Sequence, residues 1–284
     1  MTRAPQGQLA AEKALRTALG VEWNEILRRG YERYGDVLVL QFRDGVGQGA
    51  KVDAAAALAK ALGARSVVED QGGIEGPLRQ PKAQLLFGAD SRCTHKENGL
   101  TYAFDAREVM FASGNQAERA RMGQLDCRGE TVVDLFAGIG YFAVPLAILA
   151  KADRVYACEL NPASHKFLVE NARSNRAGSI IGPLLGDCRK VAPKGVADRV
   201  VMGYVHGTAD YLPTALACLK PAGGVVHYHE AYPQETKFAD ARAALKAAAG
   251  KRWDVLFLLE REVKSFAPGI DHVVVDARFT PHAP

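Results

Sequence analysis

Cysteine is scarce in this 284-residue chain and poorly spaced for bridging. The residues Cys93, Cys127, Cys158, Cys188 and Cys218 form no Cys-x-x-Cys pair, are odd in number and lie 30 or more positions apart. Neither a disulfide framework nor a zinc site is expected, and a reducing cytoplasm is. Long apolar runs are also missing. The longest clean one, Phe142 to Ala150, contains Pro145 and is too short to span a bilayer. No apolar signal region follows Met1-Thr2-Arg3-Ala4-Pro5, so a soluble intracellular protein without membrane contact is expected. Nor is there an excess of charge of either sign. Lys and Arg number 36 against 32 Asp and Glu, a net +4 that leans slightly to the N-terminal third. That balance does not demand a nucleic-acid partner and does not oppose one. The length leaves ample core for one large domain, or for a large and a small one.

What is present is a strand, a tight turn and a helix. Thr131-Val132-Val133-Asp134 runs into Leu135-Phe136-Ala137-Gly138-Ile139-Gly140 and then into the apolar helical pattern from Phe142 to Leu149. Glycines at such a turn let the backbone approach a ligand, while the following helix N-terminus offers free N–H groups. Gly138-x-Gly140-x-x-Ala143 also fits the dinucleotide fingerprint. Asp134 argues against that fit, because a carboxylate at the strand end would repel a pyrophosphate. It suits a ligand with a cationic centre, and S-adenosylmethionine carries both a sulfonium and an ammonium.

Before this turn the chain reads as a small α+β unit. Residues 9–29 alternate alanine and leucine with charges at helical spacing, 36–42 reads as a strand and 54–62 as a helix. Short β-like runs at 65–69 and 83–87 are separated by a Gly- and Pro-rich loop over 71–81. Asn98-Gly99 between β-like flanks signals a hairpin. A helix then follows Ser113 or Asn115 as cap, and its Glu118, Arg119 and Arg121 read as a solvated face on helix patterning alone.

After it, strand and helix alternate, which argues for a parallel sheet covered on both faces. Two further strands end in acids. Arg154–Cys158 leads to Glu159, a carboxylate placed to accept both ribose hydroxyls, and Ile180–Gly186 leads to Asp187, placed to accept an adenine amino group. With Asp134 they make three acids closing three successive strands. Alternation along 223–230 puts His227 and His229 on one face; no third ligand is in register, so hydrogen-bonded histidines are expected and a metal is not. Strands at 253–261 and 272–279, joined by a turn over 264–269, complete the sheet.

Glu97-Asn98-Gly99, Met110-Phe111-x-x-x-Asn115-x-x-Glu118-Arg119, Val133 through Phe142, and Ala157-Cys158-Glu159-x-Asn161-Pro162 together resemble a superfamily of enzymes acting on tRNA position 37. It holds the archaeal-eukaryal guanine N1-methyltransferase and the aminocarboxypropyl transferase of wybutosine synthesis. Where the methyltransferase carries an Asn-Leu-Pro-type motif after the fourth strand, this chain has Met202-Gly203-Tyr204-Val205-His206. That segment, with His227-Tyr228-His229 and Ala267-Pro268-Gly269-x-x-His272-Val273-Val274, is similar to archaeal members of the wybutosine-synthesising protein 2 group.

The resemblance implies a class I methyltransferase-like (Rossmann-like) α/β fold with a mostly parallel seven-stranded sheet over residues 93–284. A small α+β domain over 1–92 precedes it and is a candidate for tRNA contact. It implies S-adenosylmethionine at Ala112, Arg119, Glu159, Asp187 and Cys188, together with Ser113 and the turn residues Asp134, Phe136, Gly138 and Gly140. It implies transfer of the 3-amino-3-carboxypropyl group to 4-demethylwyosine at position 37, in the anticodon loop of tRNA-Phe, by a monomer without metal. The alternative is guanine-37 N1-methylation. Two positions depart from the family: Ala112 stands where serine is frequent, and Cys188 where asparagine is common. Arg119 is the candidate for holding the methionine carboxylate. No general base is named, although Tyr204 and His206 fall within reach of the reacting end.

Overall fold

Alanines and leucines at helical spacing form α1 (Pro5–Leu19), which turns Ala11 and Leu15 into the core. The single helix suggested by residues 9–29 is broken at Gly20, whose φ of +69° favours glycine, and resumes only as the short α2 (Trp23–Ile26). Strands β1 (Glu32–Tyr34) and β2 (Val37–Leu40), helix α3 (Gln48–Leu62), and strands β3 (Ser66–Glu75) and β4 (Gln80–Phe87) complete a β1-β2-β3-β4 sheet. Because α3 is a crossover, β2 and β3 pair in parallel. Leu58 of α3 packs with Leu38, Leu40 and Val67.

The loop expected over 71–81 is mostly strand. A register shift between Asp70 and Ile74 absorbs Gly72 and Gly73, both at positive φ, and pairing with β4 then continues. Strands β5 (Arg92–Glu97) and β6 (Leu100–Asp105) form the expected hairpin, with Asn98 and Gly99 both at positive φ. The structure is a computed structural model describing residues 5–76, 78–111 and 113–282. Its two compact units meet at Phe111–Ala112, so the hairpin lies with the first.

The second unit begins with α4 (Gln116–Gly123). Its sheet runs in the order β12 (Trp253–Ala267), β13 (Ile270–Pro281), β11 (Gly224–Pro233), β10 (Arg199–Met202), β7 (Thr131–Asp134), β8 (Arg154–Glu159), β9 (Ile181–Leu185). Neighbouring strands from β11 to β9 are parallel, and β13 is antiparallel to both of its neighbours. Helices α5 (Ala143–Ile148), α6 (Pro162–Ser174), α7 (Cys188–Val191), α8 (Leu212–Cys218) and α9 (Lys237–Ala249) connect them. Strand order reverses between β7 and β10, and in an open α/β sheet the crevice outside the carboxyl ends at that point is where ligands bind. The turn expected over 264–269 is shorter than its composition suggests. Strand β12 runs to Ala267 through three register shifts, leaving Pro268 and Gly269 to reverse the chain.

The charges of α4 are not solvated. Glu118 and Arg119 are each 1% exposed, because the acids and histidines that partner this face come from strands far along the chain. Arg121 bonds both Glu118 and Asp276, the latter at 2.6 Å. Asp276 contacts His227 Nδ1 at 2.6 Å, and Arg199 donates to His227 Nε2 at 2.8 Å while pairing with Glu130 at 2.7 Å. An arginine can only donate, so Nε2 accepts and the imidazole proton sits on Nδ1, facing Asp276. Burial lowers the His227 pKa, in keeping with this neutral form. Burial also opposes the Asp276 charge, but the hydrogen bonds from His227 and Arg121 outweigh it and hold the carboxyl well below its ordinary range.

Removing one member strands the others. Asp276→Ala is expected to destabilise the protein by about 3–5 kcal/mol, the usual consequence of leaving a buried charge uncompensated. Urea unfolding measures it, and a loss of ~1 kcal/mol or less would mean that water already screens the network.

Candidate active site

Three strand ends and one turn make the site. At the end of β7 the Asp134 carboxylate is 0% exposed; its Oδ1 accepts the Phe136 N–H at 3.2 Å, and its Oδ2 has no hydrogen-bond partner. Beside it the chain turns through Gly138 (φ +58°) and Gly140 (φ +100°). A Cβ on Gly138 would meet the Tyr141 ring at 2.6 Å, and one on Gly140 would meet Val144 at 2.7 Å. Both glycines are thus required by conformation and by space. Asn171 of α6 fastens the turn by donating to the Ile139 carbonyl at 3.0 Å.

Glu159, at the end of β8, bridges the turn to the next helix. One carboxylate oxygen accepts Gly138 N–H at 2.8 Å and the other accepts Asn161 N–H at 2.7 Å. Asn161 in turn caps α6 through Ala163 N–H, with Pro162 at the first helical position. Past the end of β9, Asp187 caps α7 and pairs with Arg189 at 2.6 Å, which keeps its pKa below the ordinary carboxylate value. The Arg189 guanidinium lies over the Tyr211 ring at 5.1 Å. Tyr211 meets Phe136 edge-on, and Phe136 stacks on Tyr204 at 5.1 Å with 23° between the planes. Arg119 lies over Tyr141 of the turn at 5.8 Å.

Asp134, Phe136, Gly138, Gly140, Glu159 and Asp187 are therefore joined by direct contacts, through Arg189 and Tyr211, and Arg119 reaches the same turn. Ser113 sits in the 3-10 turn Ser113–Asn115 ahead of α4, while Ala112 lies outside the described residues. Cys188 turns its thiol into the hydrophobic core, where burial pushes its pKa up to about 12. It stays a neutral thiol, a weak donor at best. Tyr211 and Arg189 are additions that sequence reading passed over. Arg189 had a signal in its spacing of two from a capping acid; Tyr211 had none. His229 joins as well, stacked on Phe142 and bonded through Nδ1 to His272 Nε2 at 3.0 Å. Burial lowers both histidines to about 3, so both are neutral. Among the described residues no group of His, Cys, Asp and Glu is arranged to hold a metal, and no helix is long and apolar enough to cross a membrane.

The TRM5/TYW2 methyltransferase domain matches residues 93–256, and the TYW2 N-terminal domain matches residues 11–91. The chain belongs to the TRM5/TYW2 family. The tRNA(Phe) (4-demethylwyosine(37)-C(7)) aminocarboxypropyltransferase of Methanocaldococcus jannaschii is 38% identical over 250 residues, covering 88% of this chain and 97% of that protein. The crystal structure of P. horikoshii TYW2 in complex with MeSAdo superposes with a TM-score of 0.82 at 33% identity, covering 95% of this chain and 99% of that one. M. jannaschii TYW2 in complex with AdoMet gives 0.73 at 33% identity over 89% of this chain and 100% of that one.

Burial pushes the Asp134 carboxyl up to about 7; the Phe136 N–H works against this rise and the Glu159 charge adds to it. The folded-state value lies above the unfolded value near 4, so between those limits the folded protein binds more protons. The stability from this group is complete below about pH 4 and is lost as pH rises through about 7. Relative to wild type, Asp134→Asn should show a shallower decline in urea-unfolding free energy from pH 4.5 to 7. The difference should approach ~1 kcal/mol per pH unit, and parallel curves would mean that Asp134 is already ionised when folded.

Proposed function

We propose that the protein transfers the 3-amino-3-carboxypropyl group of S-adenosylmethionine to a ring carbon of 4-demethylwyosine at position 37, in the anticodon loop of tRNA-Phe. The observation that carries this reading is the loop after β10. Where an Asn-Leu-Pro-type motif would mark the N1-methyltransferase, this chain presents Tyr204 stacked on Phe136 at the switch point of the sheet. The similarity to aminocarboxypropyltransferases over most of both chains supports it.

The residues present fit the donor. Asp134 has an unpartnered oxygen for its cationic methionine end, and ionises as that cation enters. Arg119 holds the methionine carboxylate, Glu159 the ribose hydroxyls and Asp187 the adenine amino group. Ser113 and the backbone at Cys188 complete the cradle. The donor supplies an electrophilic carbon on its sulfonium. The acceptor carbon forms a bond to the methionine Cγ as the Cγ–S bond breaks, methylthioadenosine leaves with the bonding pair, and the ring carbon gives up its proton. The chain's part is orientation, since all three carbons on the sulfonium are electrophilic and only the one facing the acceptor reacts. Residues 1–92 are assigned to tRNA contact, residues 93–284 to donor binding and transfer, and the cytoplasm is where both substrates meet.

Incubation with S-adenosylmethionine and tRNA-Phe carrying 4-demethylwyosine should yield methylthioadenosine and a nucleoside heavier by one aminocarboxypropyl group, both read by mass spectrometry. Adenosylhomocysteine with methylated guanine would overturn the assignment in favour of N1-methylation. Separately, Glu159→Ala and Asp187→Ala should each weaken donor binding by about 1.5–3 kcal/mol in calorimetry, as for lost charged hydrogen bonds. Unchanged affinity in both would remove the pocket assignment.

A further inference from the structure

His206 stands out in the loop after β10. It holds φ at +94°, a region that side-chain-bearing residues rarely occupy, and Gly207 follows at +82°. Such a conformation persists only where its surroundings impose it. Here the imposing group is Glu230, at the carboxyl end of β11 and only 5% exposed. One Glu230 oxygen accepts the His206 N–H and the other accepts the Thr208 N–H, both at 2.7 Å, while the Thr208 hydroxyl closes the loop onto the Tyr204 carbonyl at 2.8 Å. The clamp buries Thr208 but not His206. It turns the His206 ring outward, exposed, against Phe266 of β12, with centroids 5.8 Å apart and planes 30° from parallel. Phe266 is itself 46% exposed.

The pair lies at the same end of the strands as the acids, the carboxyl end. Tyr204, two residues before His206, stacks on Phe136 of the turn, so the loop runs from the reacting end outward to the His206–Phe266 pair. An exposed aromatic pair held rigid beside a reacting centre suits a base of single-stranded RNA. Proteins that read RNA loops stack unpaired bases on such rings.

We propose that His206 and Phe266 form a stacking platform for the nucleobase next to the acceptor base in the anticodon loop. The proposal rests on the tRNA reading above and extends it from the acceptor to its neighbour. Both are positioning residues, and they act on the tRNA rather than on the donor.

The test uses the full chain with tRNA-Phe carrying 4-demethylwyosine. Phe266→Leu keeps an apolar side chain without a ring, and should raise KM for tRNA by about tenfold, the scale of one lost base stack. It should leave kcat and the calorimetric affinity for S-adenosylmethionine near wild type. Phe266→Trp should restore the wild-type KM, and His206→Ala should behave like Phe266→Leu. A synthetic anticodon stem–loop with guanine at position 37 and 5-iodouridine at 36 or 38 should crosslink on irradiation to His206 or Phe266, located by peptide mass spectrometry. Product formation with an unchanged tRNA KM in Phe266→Leu would overturn the platform and keep the activity. Crosslinking at these two residues by a protein that forms no aminocarboxypropyl product would overturn the activity and keep the platform.

Discussion

The bridge made by the Glu159 carboxylate is the interaction on which the site depends. With Gly138 N–H on one oxygen and Asn161 N–H on the other, it ties the turn after β7 to the start of α6. These two N–H groups belong to different strand–helix connections, and no backbone partner joins them. The turn is already narrow, since both glycines are conformationally required and their would-be Cβ positions are filled by Tyr141 and Val144. Together with the Ala137 N–H bond to the Cys158 carbonyl at 2.9 Å, Glu159 fixes where that narrow turn stands relative to the neighbouring strand. A hydroxyl that donates to Glu159 would therefore share the carboxylate oxygens that fasten the turn.

Much of this was legible in the sequence, for reasons that can be traced. Thr131-Val132-Val133-Asp134 and Arg154-Val155-Tyr156-Ala157-Cys158-Glu159 are parallel strands, and a short apolar run closing in an acid announces such a strand without any tertiary information. Asn98-Gly99 turned where the pair turns in hairpins generally. The glycine turn carried its own geometry. In each case the signal and its structural consequence lie within a few residues of each other.

What escaped the sequence lies between distant residues. Glu118 and Arg121 look solvated on α4 because Asp276, which pairs with Arg121, and the β11 histidines that cover this face are contributed from over a hundred residues later. The strand face shared by His227 and His229 was readable, but not that one histidine would be fixed between an arginine and an aspartate while the other met His272. Gly72 and Gly73 concealed the continuation of β3, since glycine pairs mark loops more often than bulges. Pro268 and Gly269 made the preceding residues look like turn, when only those two are.

The electrostatics of the site divide along the same line. Near the donor's expected position stand Asp134 and Glu159, and burial leaves Asp134 poised about pH 7 rather than fully ionised. On the other side, around Phe142, stand His229 and His272, both held neutral by burial. A cationic ligand would lower the Asp134 pKa and draw out its proton, so entry of the cation is linked to release of a proton to solvent. Burial is the main reason that the histidines resist the same charge, and protonation would add a like charge near Arg121 for His229 and near Lys264 for His272. The arrangement thus accepts positive charge at the end of β7 and resists it around β11.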